Sequence, residues 1–288
     1  MMTPTDQHLL AEEQREREAV EEATGLSAKL IFETIRVEGE EELRRPLRAL
    51  WWSGLAAGLL ISFSVWGEAI LRSSLPDGDW RFIVENLGYS LGFVLVILGR
   101  MQLFTENTIT TVVPVTLSPT WKSLGRTGRL WAVVLAANVT GAFIAAAFLA
   151  FTPVMSAPMA DAMLELSHHA TGMPWAEGLV RGIPAGVLIA ALVWMLPQAN
   201  GSALPLIILI TWLIALGDFT HIIAGSVEMA FLMVQGELSA GPAVFRFFLP
   251  VLAGNVIGGT AVFTLLTWAQ IRPEVEEARE KKDRRLKT

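Results

Sequence analysis

The stretch LIALGDFTHIIAGSV, residues 213–227, places an aspartate, a threonine and a histidine inside a run that is otherwise apolar. Polar residues are costly inside a membrane-spanning helix and usually face the protein interior or a water-filled path. Backbone that leaves helical geometry at that depth must also be buried in protein or line a cavity. We therefore interpret Asp218, Thr220 and His221 as a break in a spanning helix and as a candidate functional position.

The composition of the whole chain agrees with a membrane protein. Of its 288 residues, 52% are hydrophobic and 17% are charged, and the mean hydropathy is +0.48. A spanning helix needs about 20 mostly apolar residues. Six such windows occur, at residues 47–71, 82–117, 130–151, 175–196, 204–234 and 245–271. The second and fifth windows are interrupted, and the sequence predicts an all-α membrane protein with six spans.

Basic residues near the window ends predict the orientation. They cluster before the first window, between the second and third, and after the sixth, which predicts that both termini are cytoplasmic. We expect a charged cytoplasmic segment over residues 1–42, a channel domain over 43–271 and a basic cytoplasmic tail over 272–288. In the first segment, Ser27 is a predicted helix cap, and Leu30, Ile31 and Ile35 form an apolar face suited to the membrane surface. Pro273 is expected to end the last helix.

Short matches indicate an internal duplication. GLAAGLLISFSVW from Gly54 pairs with GIPAGVLIAALVW from Gly182, and LAANVTGA from Leu135 pairs with LAGNVIGG from Leu252. The dipeptide Phe-Thr at residue 104 recurs at residue 219, which gives a spacing of 115. Three spans per half place the second half in the membrane from the opposite face, so the sequence predicts a 3+3 inverted repeat. In such repeats, interrupted helices of the two halves meet near the midplane.

The polar breaks FTENT, residues 104–108, and GDFTH, residues 217–221, carry the candidate site. His221 has two interpretations: a neutral histidine hydrogen-bonded inside the bundle, or a pore residue that exchanges a proton with a solute. The repeat and the apolar flanks favour the pore. Glu106 also has two: an ion pair with Arg100 that braces the loop, or a carboxyl that alters selectivity.

Other site classes find little support. The chain has no cysteine, nucleotide-binding loop, nucleophile elbow or zinc-helix motif, so we expect no enzyme activity and no cofactor. The net charge of −6 comes largely from the glutamate-rich amino-terminal segment, and we expect no nucleic-acid partner. Four residues could share a helix face as metal ligands, but solvated loop residues are the favoured interpretation, and no metal site is expected. These are Asp161, Glu165, His168 and His169.

Several of these motifs resemble those of the formate/nitrite transporter family. LFTEN at residues 103–107 is similar to the LFTGN type of motif, GDFTHIIAG at 217–225 to the GFEHSIAN type, and Asn138 and Asn255 begin matching N-x-x-G elements. The resemblance covers about residues 43–271. It implies an aquaporin-like homopentamer in the bacterial inner membrane, with one pore in each subunit.

The resemblance also implies roles for individual residues. Leu103, Phe104 and Phe219 would form apolar constrictions, and Thr105 and His221 would form the polar centre of the pore. Asn107 belongs to the first motif. Glu106 stands where glycine or serine is common and Thr220 where a glutamate precedes the histidine, a pattern similar to the divergent YfdC-like branch.

The sequence as a whole predicts a channel or secondary transporter for small monovalent anions or their conjugate weak acids, of the formate, nitrite and hydrosulfide class. One alternative keeps the architecture and carries a neutral small solute or a cation, with Glu106 and Asp218 as the reason. A second alternative is a membrane scaffold or sensor with a vestigial pore.

Overall fold

The six apolar windows form helices in the computed structural model, which describes residues 25–287. No β-strand occurs among these residues. In chain order the helices are α1 (Ala28–Arg44), α2 (Leu47–Leu60), α3 (Ser62–Ser74), α4 (Arg81–Glu85), α5 (Ser90–Leu98), α6 (Phe104–Thr110), α7 (Val113–Leu117), α8 (Trp121–Phe151), α9 (Ala157–Gly172), α10 (Trp175–Met195), α11 (Ala203–Leu216), α12 (Ile222–Val234), α13 (Ala240–Pro242), α14 (Leu249–Val256) and α15 (Leu265–Lys287). Short 3-10 turns occupy Asn86–Tyr89 and Leu196–Gln198, and π-helical segments occupy Ala243–Phe248 and Ile257–Thr264.

Five helical segments of the described chain are long and apolar enough to cross a membrane: Leu47–Ser74, Arg81–Leu98, Trp121–Phe151, Trp175–Gln198 and Ala240–Glu277. The shorter apolar helices α11 and α12 together form the interrupted fifth span. The second span is interrupted between α5 and α6, as the sequence predicted. Large apolar side chains such as Phe151 and Phe245 are more than two-thirds exposed in the isolated chain, as lipid-facing or subunit-facing residues would be.

Two helix boundaries differ from the sequence prediction. The third span begins at Trp121 rather than at residue 130, because Thr120 and Ser123 form a reciprocal capping box at its start. The last helix continues through Pro273 rather than ending there. Ile271 and Val275, on either side of the proline, are 1% and 5% exposed, and packing of this face stabilises the helix across the missing hydrogen bond.

The first broken helix is held by one buried amide. Asn138 on α8 accepts a hydrogen bond from the backbone N–H of Phe104 at 2.9 Å, at the start of α6. Its amide nitrogen donates to the carbonyl oxygens of Gly54 at 2.7 Å and Gln102 at 2.8 Å. Asn138 is fully buried. Backbone groups that the broken helix leaves unpaired are thereby paired within the protein, as the membrane interior requires.

Asn255 makes the same three contacts in the second half. It accepts from the backbone N–H of Ile222 at 2.8 Å and donates to the carbonyl oxygens of Gly182 at 2.9 Å and Thr220 at 2.8 Å. The two asparagines therefore each join an unbroken helix to the loop and to the start of a half-helix. This pattern confirms the pairing of Gly54 with Gly182 and of Asn138 with Asn255.

The pairing of the two Phe-Thr dipeptides is wrong by three residues. The cap of α6 is Leu103, with φ −100° and ψ 128°, and the cap of α12 is His221, with φ −109° and ψ 124°. Arg100 and Asp218 each precede their cap by three residues and share a φ of 52°. The structural repeat therefore pairs Leu103 with His221, because backbone geometry is equivalent there and the dipeptide identity is accidental.

Glycines allow the helices of each half to approach closely. A Cβ on Gly58 would lie 2.1 Å from the carbonyl oxygen of Asn138, and a Cβ on Gly186 would lie 2.2 Å from that of Asn255. Any larger residue would push these helices apart and stretch the asparagine hydrogen bonds. This is the close backbone approach that small residues provide in membrane bundles.

We predict that Asn138→Ala lowers the free energy of unfolding by at least about 2 kcal/mol, because it leaves buried backbone groups without partners. Asn255→Ala should have a similar effect. Thermal or denaturant unfolding in detergent micelles measures both. Thr140→Ala on the same helix is the control, since its exposed hydroxyl bonds only the carbonyl of Ala136. Equal effects of Asn138→Ala and Thr140→Ala would contradict this role of the asparagine.

Candidate pore

The two broken helices meet at one side-chain contact. His221 Nε2 lies 2.8 Å from Thr105 Oγ1, and the two residues are 116 positions apart in the sequence. His221 is 2% exposed and Thr105 is 1% exposed. The contact joins the first turn of α6 to the cap of α12. It therefore links the two halves of the repeat at the starts of their half-helices.

The surroundings of His221 define which ring nitrogen carries the proton. Nδ1 accepts a hydrogen bond from the backbone N–H of Ala224 at 3.3 Å, so the imidazole caps α12. Nδ1 is then an acceptor, and the neutral ring carries its hydrogen on Nε2 and donates it to Thr105. Phe93 contacts the ring edge-on, with centroids 4.9 Å apart and an interplanar angle of 75°. The imidazole is held on three sides.

A cavity of about 420 Å³ is lined by Leu103 and Glu106, which flank Phe104 and Thr105 in the chain, and we call it the Glu106 cavity. Leu103, Glu106 and Asn107 line its deep end. Glu38, Glu41, Glu42 and Arg100 also line it. Because Glu41 is exposed, the cavity extends to the protein surface along α1.

A smaller cavity of about 70 Å³ is lined by His221 itself and by residues of both halves of the repeat, and we call it the Glu68 cavity. Phe219, Thr220 and His221 form one wall. Its remaining polar lining comes from Glu68, Asn86, Tyr89, His169, Asp218 and Glu228. His169 belongs to the exposed face of α9, so this cavity also approaches the surface.

The side chains between the two cavities are mostly apolar, and we call them the barrier. Leu103 borders the Glu106 cavity, Phe219 and His221 border the Glu68 cavity, and Thr105 bonds His221 between them. Leu103 is fully buried. A solute that passes from one cavity to the other would have to cross this barrier and lose its hydration there.

The remaining predicted site residues occupy different positions. Asn107 lines the Glu106 cavity and donates to the carbonyl of Leu103 and the side chain of Gln102, both at 3.3 Å, so it supports the loop. Thr220 borders the Glu68 cavity, but its hydroxyl donates to the carbonyl of Gly178 at 2.7 Å.

Phe104 lines neither cavity, and its predicted role as a constriction has no support in the structure. Its ring packs edge-on against Trp131, with centroids 5.6 Å apart. As the first residue of α6 it is directed into the packed core. Leu103, one position earlier, borders the cavity instead.

The predicted ion pair between Arg100 and Glu106 does not form. Arg100 pairs with Glu38 at 3.4 Å and its side chain is 83% exposed. Glu106 Oε1 is buried without a hydrogen-bond partner among the described residues. The left-handed backbone of Arg100 turns its side chain toward α1, and the Glu106 carboxyl faces the cavity alone.

Asp218 lies at the mouth of the Glu68 cavity rather than at the contact between the halves. Its carboxylate accepts from Arg181 at 2.7 Å and lies 3.0 Å from His169 Nε2. Arg181 also donates to the Asp218 backbone carbonyl at 3.2 Å. These contacts offset the cost of placing Asp218 beside an apolar span and fix the loop before His221.

The four residues considered as metal ligands lie on helix α9 rather than in a loop, and three of them make separate ion pairs. Glu165 pairs with Arg72 at 2.7 Å, His168 with Glu237 at 2.6 Å, and His169 with Asp218. No cluster suited to a metal ion occurs among the described residues, Asp161 included. The ion pairs join α9 to the ends of three other segments.

Helix α1 packs on the protein rather than along the membrane surface. Ser27 caps it as predicted, accepting from the backbone N–H of Leu30 at 3.3 Å. Ile31, Phe32 and Ile35 are buried, and Phe32 stacks on Trp268 with centroids 5.4 Å apart. A Cβ on Gly39 would lie 1.9 Å from the Thr110 carbonyl oxygen. The helix therefore covers part of the Glu106 cavity. The charge run before residue 25 lies outside the described residues.

Two carboxyls of the Glu68 cavity were missed by sequence reasoning. Glu68 lies in the first apolar window and Glu228 in the fifth, and both line the cavity. A glutamate inside a predicted span is itself a functional signal. Neither residue belongs to a polar break, so the pattern of breaks did not indicate them.

Comparison with known proteins identifies the family. Residues 29–269 match the family model described as "Formate/nitrite transporter". The Escherichia coli (strain K12) "Inner membrane protein YfdC" is 43% identical over 262 residues, which cover 89% of this chain and 84% of that protein. The chain belongs to the formate/nitrite transporter family.

Two further comparisons agree with this membership. The Haemophilus influenzae "Formate channel FocA" is 24% identical over 243 residues, covering 75% of this chain and 84% of that protein. A solved structure, "Pentameric formate channel with formate bound", superposes with a TM-score of 0.67 at 20% identity, covering 78% of this chain and 97% of that one. The family model, the Haemophilus influenzae protein and the solved structure are named as a transporter or a channel, which supports a non-enzymatic protein at the family level.

We predict that His221 is in the Nε2–H tautomer. Nitrogen NMR of histidine-labelled protein in lipid nanodiscs, with His221→Asn to assign the signal, measures which ring nitrogen is protonated. Thr105→Val should move the Nε2 resonance and leave the tautomer unchanged, because the bond to Ala224 persists. An Nδ1–H tautomer in the unmodified protein would contradict the cap.

Proposed function

We propose that this protein is a membrane channel or secondary transporter for small monovalent anions or their conjugate weak acids, such as formate, nitrite or hydrosulfide. The observation that carries the proposal is the Thr105–His221 contact, beside which two separate cavities lie, one bordered by Leu103 and Glu106 and the other by Phe219 and His221. A single polar contact between apolar side chains is suited to a small solute that sheds its water.

The physical role of each pore residue follows from its position. Leu103 and Phe219 exclude hydrated ions, because their side chains offer nothing to replace a hydration shell. The Thr105 hydroxyl accepts the histidine hydrogen bond, so its own hydrogen can be donated to the oxygen of a solute. Asn107 and Thr220 act indirectly, by holding the two loops in place.

Family membership supports the wider setting of the proposal. The matched relatives include a protein named for the inner membrane and a structure described as a pentameric formate channel. We infer a homopentamer in the bacterial inner membrane, with lipid around it and both termini in the cytoplasm. The basic residues beside the first, second and last spans favour this orientation, which makes the Glu106 cavity the cytoplasmic one. Residues 43–271 then form the channel domain, between the cytoplasmic segments 1–42 and 272–288.

One observation favours a second candidate, a channel for a neutral solute or a cation. Carboxyl side chains outnumber basic ones in both cavities. Glu38, Glu41, Glu42 and Glu106 accompany Arg100 on one side. Glu68, Asp218 and Glu228 accompany His169 on the other. Rings of acidic side chains are characteristic of cation pathways.

Flux into proteoliposomes tests the proposal. We expect formate and nitrite to enter faster than into empty liposomes, and His221→Asn to reduce this flux by at least about tenfold, equivalent to roughly 1.4 kcal/mol. Asparagine can still cap α12, but it removes the ring N–H that meets Thr105.

His168→Asn is the matched control, because His168 pairs with Glu237 away from both cavities and should leave the flux unchanged. Ammonium uptake is measured in parallel. Ammonium flux without formate or nitrite flux would favour the second candidate. If none of the three solutes crosses, the conduction proposal is wrong.

A further inference from the structure

The geometry of His221 makes it a poor source of the proton that would neutralise an anion. Both ring nitrogens are occupied, Nδ1 by the Ala224 N–H and Nε2 by Thr105. A second proton on Nδ1 would break the cap bond. It would also place a cation at the N-terminus of α12, where the helix dipole is positive. An acid that exchanges protons with a solute must therefore be sought elsewhere along the path.

Glu106 has the position of such an acid on one side of the barrier. It follows Thr105 in the chain and lines the deep end of the Glu106 cavity. Its Oε1 is buried and has no hydrogen-bond partner among the described residues. The charged groups that share this cavity are Glu38, Glu41 and Glu42 from α1 and Arg100 from the loop. Arg100 is engaged by Glu38, and no basic residue in the described part of the chain forms an ion pair with Glu106.

Glu68 has the matching position on the other side. It is 9% exposed, lines the Glu68 cavity, and makes no hydrogen bond or ion pair with the described residues. Glu228, Asp218, His169 and Tyr89 share that cavity. Of the nearby basic groups, Arg72 pairs with Glu85 and Glu165, and Arg181 pairs with Asp218.

We propose that Glu68 and Glu106 are the proton-exchanging groups on the two sides of the Thr105–His221 contact. This inference rests on the proposed function and deepens it. Glu68 and Glu106 are carboxyls without hydrogen-bond partners among the described residues, and they lie on opposite sides of an apolar barrier. This arrangement allows an anion to cross as its conjugate acid while the imidazole stays neutral.

The protons balance in each step. In the Glu68 cavity, the O–H bond of the protonated Glu68 carboxyl breaks, and its proton forms an O–H bond on the anion. The uncharged acid crosses between Leu103 and Phe219, with the Thr105 hydroxyl available as a hydrogen-bond donor. In the Glu106 cavity the acid returns the proton to the Glu106 carboxylate. Each carboxyl then re-equilibrates with water in its own cavity, and the reverse sequence carries the solute the other way.

The carboxylates of the Glu106 cavity also affect the anion once it is released there. Once the solute has lost its proton in the Glu106 cavity, the carboxylates of Glu38, Glu41 and Glu42 disfavour retention of the anion in that cavity relative to bulk water. One proton accompanies each anion across the barrier. The acidic cavities, which would oppose passage of a bare anion, are compatible with passage of its conjugate acid.

The test varies the anion at a fixed concentration of undissociated formic acid. A carboxylic acid with a pKa near 4 is about a thousandfold more abundant as its anion at pH 7. If Glu68 and Glu106 supply the proton, influx into proteoliposomes rises with the anion concentration as pH and total formate are raised together, over the pH range in which the carboxyl on the outer side stays mostly protonated. If only preformed acid crosses, influx stays constant, because its concentration does not change.

The double variant Glu68→Gln plus Glu106→Gln keeps the side-chain shape and cannot exchange protons. We expect it to lose the dependence on anion concentration and to conduct about tenfold to a hundredfold less at neutral pH. Each single variant should be intermediate, since the protein inserts into liposomes in both directions. Glu68→Asp and Glu106→Asp retain a carboxyl and should restore part of the dependence. They also show whether a loss arises from misfolding.

Matched controls are Glu40→Gln and Glu165→Gln, which remove carboxyls that line neither cavity. Both should behave as the unmodified protein. A double glutamine variant with the original dependence on anion concentration would overturn the inference while leaving the proposed function intact. An unmodified protein that carries formate in proportion to preformed acid alone, over the pH range in which the outer carboxyl stays mostly protonated, would also overturn it. If the unmodified protein carries no weak acid at all, the proposed function itself fails.

Discussion

The membrane interior supplies no water to a broken helix, and the fold depends on how this chain meets that constraint. A buried asparagine in each half accepts one backbone N–H and donates to two carbonyls, and so pairs the groups that the break exposes. The cost of leaving each group unpaired would be several kcal/mol. With Asn138 and Asn255 in place, two spans can turn at membrane depth. The glycines that bring neighbouring helices close enough for these bonds are part of the same requirement.

The repeat is symmetric in its backbone and asymmetric in its chemistry. Leu103 and His221 occupy equivalent caps, yet one is apolar and the other is the only imidazole at the contact. Arg100 and Asp218 occupy equivalent left-handed positions with opposite charges. Each is tied to a different peripheral helix, Arg100 to α1 through Glu38 and Asp218 to α10 through Arg181. The two halves therefore share one backbone arrangement. The different residues at equivalent positions place a polar side chain, His221, at one cap and an apolar one, Leu103, at the other.

The sequence was sufficient for the features that repeat over many residues. Apolar windows, polar breaks and the recurrence of Asn138 at Asn255 predicted the spans and the duplication, because hydrophobic length and backbone pairing are local requirements. It was insufficient where a side chain chooses among distant partners. Arg100 turns to Glu38 on α1 rather than to the nearby Glu106. Nothing in the spacing of residues indicates that α1 lies within its reach.

Register was the other limit, for a related reason. An identical dipeptide aligned the two breaks three residues out of phase, whereas the geometry of the caps aligns Leu103 with His221. A match of two residues determines the alignment less reliably than the hydrogen-bonding pattern at the start of a helix does. The same limit explains Phe104, which resembles a pore residue in the motif but packs against Trp131. Phe104 and Leu103 differ by one position at the start of α6, yet the first packs in the core and the second borders the Glu106 cavity.

The acidic lining of the cavities disfavours an anion, whereas the family is named for the anions formate and nitrite. The two observations agree once the protonation state of the solute is considered. A bare anion would meet carboxyls before and after an apolar barrier, with Arg100 and Arg181 already engaged by acidic partners. An uncharged acid meets none of this opposition. The carboxyls close to the barrier can then exchange protons with the solute instead of repelling it as an anion. A channel with this lining would favour solutes whose conjugate acids are small and form readily, and would exclude anions of strong acids even when they are equally small.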